Sequence, residues 1–321
     1  MNGAELVEKI TRRATYEESE VFARHFRSVV TNETPSAARN PVAFLGAQCT
    51  QFDDDDDDVS RDHWLTWRPH GQPCVLVQLK PVVQQKPNCA ELPPPPPPLY
   101  LVTPSNKLFV IDAPVQSFRR FNAATSMYSF PLVVLEGDLV QRARVASRHD
   151  TAFIEEMRQA TMATLLSDDN DDDDCALDGR PYDIVFLARD CLWSRVHRGT
   201  ADAQQRMAQA RNIIEGEPGN APMLTPRIDV DGRDAGSYLH SIEYKPSMPS
   251  MHWRAIISDV PEVLRGVRLA GVEFRLLSAP HTPAPAPNRD FYVTKAAQVE
   301  PLVARARGIG CLIVNDDDDE S

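Results

Sequence analysis

Apolar positions recur at helical spacing near the start of the chain and at shorter, strand-like spacing from Asp62 onward. Leu6, Ile10, Phe22, Phe26 and Val29 or Val30 fall near one face of a single amphipathic helix over residues 4–30, which Asn, Pro and Ser end at 32–41. Residues 63–68 (HWLTWR) and 74–79 (CVLVQL) have strand character and flank a Pro-His-Gly-Gln-Pro turn, predicting a hairpin or a tight strand connection. Strands follow at 99–102, 107–112, 132–135 and 138–141, then a helix at 152–166. The apolar run 182–188 (YDIVFLA) predicts a buried strand, and 200–215 a helix with Met207, Ala210, Ile213 and Ile214 on one side. Three further strands are predicted at 255–258, 271–277 and 291–295. Trp64 and Trp67 point to opposite faces of their strand, so at least one belongs in a core. The chain has no internal repeat and reads as α+β.

Charge changes this picture in one respect. The formal net charge of −12 owes much to sixteen aspartates in three runs, at 53–58, 168–174 (interrupted by Asn170) and 316–319. Thirty acidic residues then remain against 34 basic ones, of which 28 are arginine. Runs of like charge repel themselves, which places them in loops or a tail. The six prolines of 93–98 cannot lie in an inner strand, since proline lacks the backbone donor. The expected organisation is an N-terminal helix and linker (1–40), one domain (41–298) with loop inserts at 53–58, 80–98 and 167–176, and an acidic tail (299–321). With no run long enough to span a bilayer and no apolar stretch after the N-terminal charges, the reading is cytoplasmic, alternatively nuclear. The six scattered cysteines form no C-x-x-C pair and read as reduced thiols. His63, His70 and His252 match no metal-site spacing.

The order of the motifs carries the chemistry. Trp67-Arg68-Pro69-His70-Gly71-Gln72-Pro73 leads into an apolar strand; Ile111-Asp112-Ala113 precedes Phe118; Leu135-Glu136-Gly137-Asp138-Leu139-Val140 follows. A buried strand and an arginine-bearing helix come next, then Tyr244-Lys245-Pro246, Ala270-Gly271-Val272-Glu273-Phe274 and Val293-Thr294-Lys295. In this order, from about Pro41 to Lys295, the chain resembles the guanylyltransferase domain of mRNA capping enzymes, of the covalent nucleotidyltransferase and nucleic-acid ligase superfamily. The resemblance implies a ligase-type, ATP-grasp-like nucleotidyltransferase fold of antiparallel sheets with flanking helices. It also implies GTP and Mg2+ as candidate cofactors. Arg68, His70, Gly71, Glu136, Asp138, Lys245 and Lys295 become the candidate nucleotide-binding residues, with Glu136 and Asp138 as candidate metal ligands.

The departures from that pattern point away from catalysis. In the family a lysine amine attacks the α-phosphate of GTP and carries GMP as a phosphoramidate to an RNA 5′ end. The amine must be neutral when it attacks, whereas a guanidinium stays protonated, so Arg68 at that position cannot be the nucleophile. His70 stands for the motif's Asp, Pro73 for an Arg, Ala270 for a metal-binding carboxylate, Val293 for a phosphate-clamping Lys, and Phe186-Leu187 for a Tyr-Asp pair. Of the six lysines, none lies in a K-x-D-G setting; Lys80 and Lys245 are the candidates for rescue. Only 26 residues follow Lys295, too few for the OB-fold lid of active relatives. The expected function is therefore a catalytically degenerate guanylyltransferase-like domain acting as a binding or scaffold subunit. Its setting would be mRNA capping or cap-dependent translation, with proteins of that machinery as partners, RNA as a further candidate and no membrane. Two alternatives stand beside it: an active divergent guanylyltransferase, and an unrelated α+β interaction protein in which Arg68, Glu136, Lys245 and Lys295 do not converge.

Overall fold

The strand His63–Pro69 (β3) ends at His70, and Gly71–Gln78 (β4) begins at once, but the two strands do not pair. The turn instead carries the chain from one sheet into another, the tight connection rather than the hairpin. The computed structural model describes residues 3–30, 50–51, 63–80, 96–112, 116–122, 127–144, 181–193, 203–217, 220–226, 237–258, 260–276, 290–295 and 298–306, with isolated residues between 152 and 159. Most of the helix expected at 152–166, the acidic runs and residues 81–95, which include the first three prolines of the proline run, lie outside the described residues.

The larger sheet has seven strands. Besides β4 it contains Thr11–Arg13 (β1), Leu99–Val102 (β5), Leu108–Ile111 (β6), Val133–Ala143 (β9), Tyr182–Trp193 (β10) and Leu239–Tyr244 (β11), in the order β1-β6-β5-β4-β9-β10-β11. The second sheet has five, in the order β12-β3-β13-β14-β2, where β2 is Thr50–Gln51, β12 Met248–Pro249, β13 Leu269–Leu276 and β14 Asp290–Val293. Arg120–Asn122 (β7) and Met127–Ser129 (β8) form a separate two-stranded hairpin. The fold is mixed α+β, and the expectation of antiparallel sheets needs correction: β10 runs parallel to β11, and β14 parallel to β2.

Alternation along the strands sorts the core. Cys74, Leu76, Leu135, Leu139, Ile184 and Phe186 turn to one face of the large sheet, where Leu6, Val7 and Ile10 of the helix Gly3–Ile10 (α1) meet them. Ala210 and Ile213 of the helix Ala203–Glu215 (α3) complete that cluster. Val75, Val77, Tyr100, Val110 and Val134 turn to the other face, under Phe22 and Phe26 of the helix Tyr16–Val30 (α2). Each buried aromatic of α2 contributes about 1.5–3 kcal/mol from apolar area removed from water. A further cluster joins Leu65, Trp67, Val272 and Phe274 of the second sheet to Val299, Leu302 and Val303 of the helix Val299–Ala306 (α5).

Several expectations change. The single helix over 4–30 is two helices, because Thr11–Arg13 pairs antiparallel with β6 and breaks the helical run. The two strands at 132–135 and 138–141 are one, since β9 runs straight through Gly137. Residues 255–258 belong to a helix, Trp253–Ser258 (α4), not to a strand. The segment 299–321 begins as α5, whose apolar face is buried, before its acidic end. Of the two tryptophans, Trp67 is the core residue, 2% exposed.

Candidate functional site

Glu136 and Asp138 are alternate residues of β9 and share a face, the face on which charge gathers. β4 pairs with β9 along this stretch, with Gly71 opposite Val140 and Pro73 opposite Asp138. The strands approach closely: a Cβ on Gly71 would lie 2.5 Å from the carbonyl oxygen of Leu139. Gly137, between the two carboxylates, is under the same constraint, since a Cβ there would lie 2.2 Å from the carbonyl oxygen of Leu187. Both glycines are thus required by packing.

On the neighbouring β10 the pairing with β9 shifts between Ala188 and Asp190. A bulge of this kind interrupts alternation. Arg189 and Asp190 therefore both join the charged cluster, although they are consecutive. Arg189 Nη1 donates to both oxygens of Glu273 on β13, at 3.1 Å each, and its Nη2 donates to Glu136. Asp190 accepts from Arg206 Nε of α3 at 3.1 Å and from Arg275 Nη2 of β13 at 3.0 Å. Lys245 follows β11, its backbone N–H donating to the carbonyl of Ala188 at 2.7 Å. Its Nζ donates to Asp138 Oδ2 at 3.0 Å and lies 3.5 Å from Glu273 Oε2. Thr66 of β3 fixes the next residue, donating from Oγ1 to the carbonyl of Pro246 at 2.7 Å.

The result is a buried ionic layer joining the two sheets. Four carboxylates (Glu136, Asp138, Asp190, Glu273) meet four cations (Arg189, Arg206, Lys245, Arg275), and all eight are nearly inaccessible. Burial opposes ionisation of Glu273, yet Arg189, Lys245, Arg275 and Arg68 outweigh it and hold its carboxyl well below the usual carboxylate range. Arg68 is half-buried on β3 opposite Gly271, its guanidinium stacked over the ring of Tyr292 at 3.5 Å.

Of the residues singled out from the sequence, Glu136, Asp138 and Lys245 come together here, Arg68 acts on Glu273 through its charge, and Gly71 stands on the paired β4 opposite Val140. His70 does not: it is exposed at the turn between β3 and β4, its backbone N–H donating to the carbonyl of Arg268. Lys295 lies two residues past β14 and is half-buried. Phe186 and Leu187 are core residues on opposite faces of β10, and Asp190 of the same strand is a fully buried carboxylate. Ala270 carries no charge, and the buried carboxylate of β13 is Glu273, three residues on. Arg189, Asp190, Arg206, Glu273 and Arg275 escaped the sequence reading. The signal present was charge inside otherwise apolar strands, in ARDC and VEFR.

A divalent metal ion needs oxygen ligands whose charge is not already neutralised. Glu136 is engaged by Arg189 and Asp138 by Lys245, so the cluster does not fit a metal ion. Among the described residues no group of three or more His, Cys, Asp or Glu is arranged to hold one, and no helix is long and apolar enough to cross a membrane. No protein-family profile matches the chain, and no curated protein does. Among solved structures the chain is similar to one from work on Lig E DNA ligases that concerns DNA binding with a minimal scaffold. That likeness has a TM-score of 0.34 and 12% identity over 78% of this chain and 68% of the other, an overlap that fixes neither family nor function.

Proposed function

We propose that this chain is a catalytically silent nucleotidyltransferase-like domain that works as a binding or scaffold subunit. The setting is the one its resemblance implies, mRNA capping or cap-dependent translation, with proteins of that machinery as partners. The observation that carries the reading is the self-neutralised cluster between the sheets. Where the resemblance expects a nucleophile stands Arg68, stacked on Tyr292, and where it expects metal-binding carboxylates stand Glu136 and Asp138, each ion-paired to the protein's own cations.

Neither candidate for rescue fits the chemistry. Lys245 Nζ donates to Asp138 and faces Glu273, so it presents no lone pair to a phosphate. Lys80 is exposed beyond the far end of β4, about 30 Å along the strand from Gly71 at roughly 3.3 Å per residue. A nucleotide without metal would meet Arg68 as its phosphate contact, and no transfer step follows from that. The test is incubation with α-labelled GTP and divalent metal, then denaturing electrophoresis. The expected outcome is no labelled band from a preparation whose near-ultraviolet circular dichroism shows native packing. A band removed by acid and abolished by Lys245→Ala would establish a lysyl-GMP and overturn the reading.

A further inference from the structure

The hairpin β7–β8 stands apart from both sheets and carries two large aromatic side chains in solvent. Phe121 and Tyr128 are directly opposed across it, 53% and 51% exposed, with ring centroids 5.3 Å apart and planes inclined at 55°. The guanidinium of Arg119 lies over the Tyr128 ring at 4.4 Å, and Arg120 is exposed beside it. Such a surface pairs π-faces with delocalised positive charge. Its charge is also unopposed in sequence: no acidic residue occurs between Asp112 and Glu136, in a chain of net charge −12.

The base of the hairpin is held firmly while its rings face outward. Gln78, fully buried at the end of β4, donates from Nε2 to the carbonyls of Phe118 and Pro131, the residues flanking the hairpin. Its Oε1 accepts from the N–H of Phe118 at 2.9 Å. Phe118 is itself fully buried and bridges to Leu224, and Arg119 donates its N–H to the carbonyl of Met223 at 2.7 Å. Side chains mounted this way lose little freedom when a ligand covers them.

We propose that the hairpin is a stacking platform for single-stranded RNA. Unpaired bases lie on Phe121 and on the Arg119–Tyr128 pair, and Arg120 meets the phosphate backbone. Stacking on aromatic rings tolerates any base, and arginine beside the rings attracts the polyanion. An acidic peptide would answer the arginines but leave the ring faces without a planar partner. RNA offers its bases unpaired in loops and ends, whereas duplex DNA keeps them stacked inside the helix. The proposal rests on the hairpin alone and is independent of the silent-site reading.

The test uses the full chain and a fluorescein-labelled oligouridylate, followed by fluorescence anisotropy at two salt concentrations. The single strand should bind, and its duplex with oligoadenylate should bind markedly more weakly. Phe121→Ala with Tyr128→Ala should weaken binding by about tenfold or more, the loss of one or two stacked bases. Tyr128→Phe should restore it. Arg120→Glu should weaken binding and flatten its salt dependence. Because these side chains are exposed, the thermal midpoint of each variant should match that of the parent, separating lost binding from lost folding. Equal affinity of the double alanine variant overturns the proposal, as does absence of binding by the parent chain. Preference for the duplex, or for oligodeoxythymidylate over oligouridylate, also overturns it. So does a self-associating chain whose dimer Phe121→Ala dissociates, which would make the hairpin a protein interface.

Discussion

Glu273 shows what the ionic layer demands of a single residue. It is 1% exposed and faces Arg189, Lys245, Arg275 and, at longer range, Arg68. Removing its charge would leave buried cations under-neutralised. Glu273→Gln should therefore destabilise the fold by about 3–5 kcal/mol in urea unfolding, the cost of breaking a buried pair from one side. Glu300→Gln, which breaks the exposed pair with Arg254, should change stability by no more than about 1 kcal/mol. Asp138 and Lys245 extend the comparison: Asp138→Leu and Lys245→Met should each be costly, and the double variant should cost less than their sum. Additive losses would mean that the two side chains are stabilised by separate partners. Glu136, Asp138 and Lys245 were legible in the sequence because strand alternation and motif order point to them. Their actual partners were not, because Arg189 reaches the cluster only through the register shift on β10, and Glu273 and Arg275 are brought in from the other sheet.

The element that decides the site is β10. Strict alternation would send Arg189 and Asp190 to opposite faces, and only the shift against β9 brings both to the cluster. Gly137 lies beside that shift, opposite Ala188 and against the carbonyl of Leu187. Gly137→Ala should accordingly destabilise by about 1–3 kcal/mol through overpacking, measured as a lower thermal midpoint. An unchanged midpoint would show that the strands can part far enough to relieve that 2.2 Å approach at no cost. Other elements show why local pattern reached only part of the fold. The strands at 63–68, 74–79, 99–102 and 182–188 announce themselves through β-branched and aromatic runs, and they lie where expected. Thr11–Arg13 is a three-residue edge strand with no such run, made by its pairing with β6. Residues 255–258 carry Ile256 and Ile257, which favour a strand locally, yet they complete a helix.

At the scale of the molecule, the ionic layer is a polar seam between two sheets that also share an apolar cluster, in which Val140, Val185 and Leu187 meet Leu65, Trp67 and Val272. Its pH dependence follows from Glu273, whose carboxyl is held below the ordinary value of about 4.3. A group depressed in the folded state contributes stability that is complete above the unfolded value and is lost as pH falls toward the folded one. Glu243 works in the same direction: burial opposes its charge, but Arg142, bonded through two 2.7 Å contacts across the large sheet, outweighs that burial. Stability should thus be level from neutrality down to about pH 5 and then decline through the acid range below the ordinary carboxylate value. The decline should be shallower in Glu273→Gln, which has already surrendered that contribution at every pH. Near-ultraviolet circular dichroism, sensitive to Trp67 in the core of the second sheet, would follow the transition directly. Equal slopes in the two proteins would mean that the layer is not what acid dismantles. The acid limb would then arise from surface carboxylates, and the seam would be held by its apolar flanks alone.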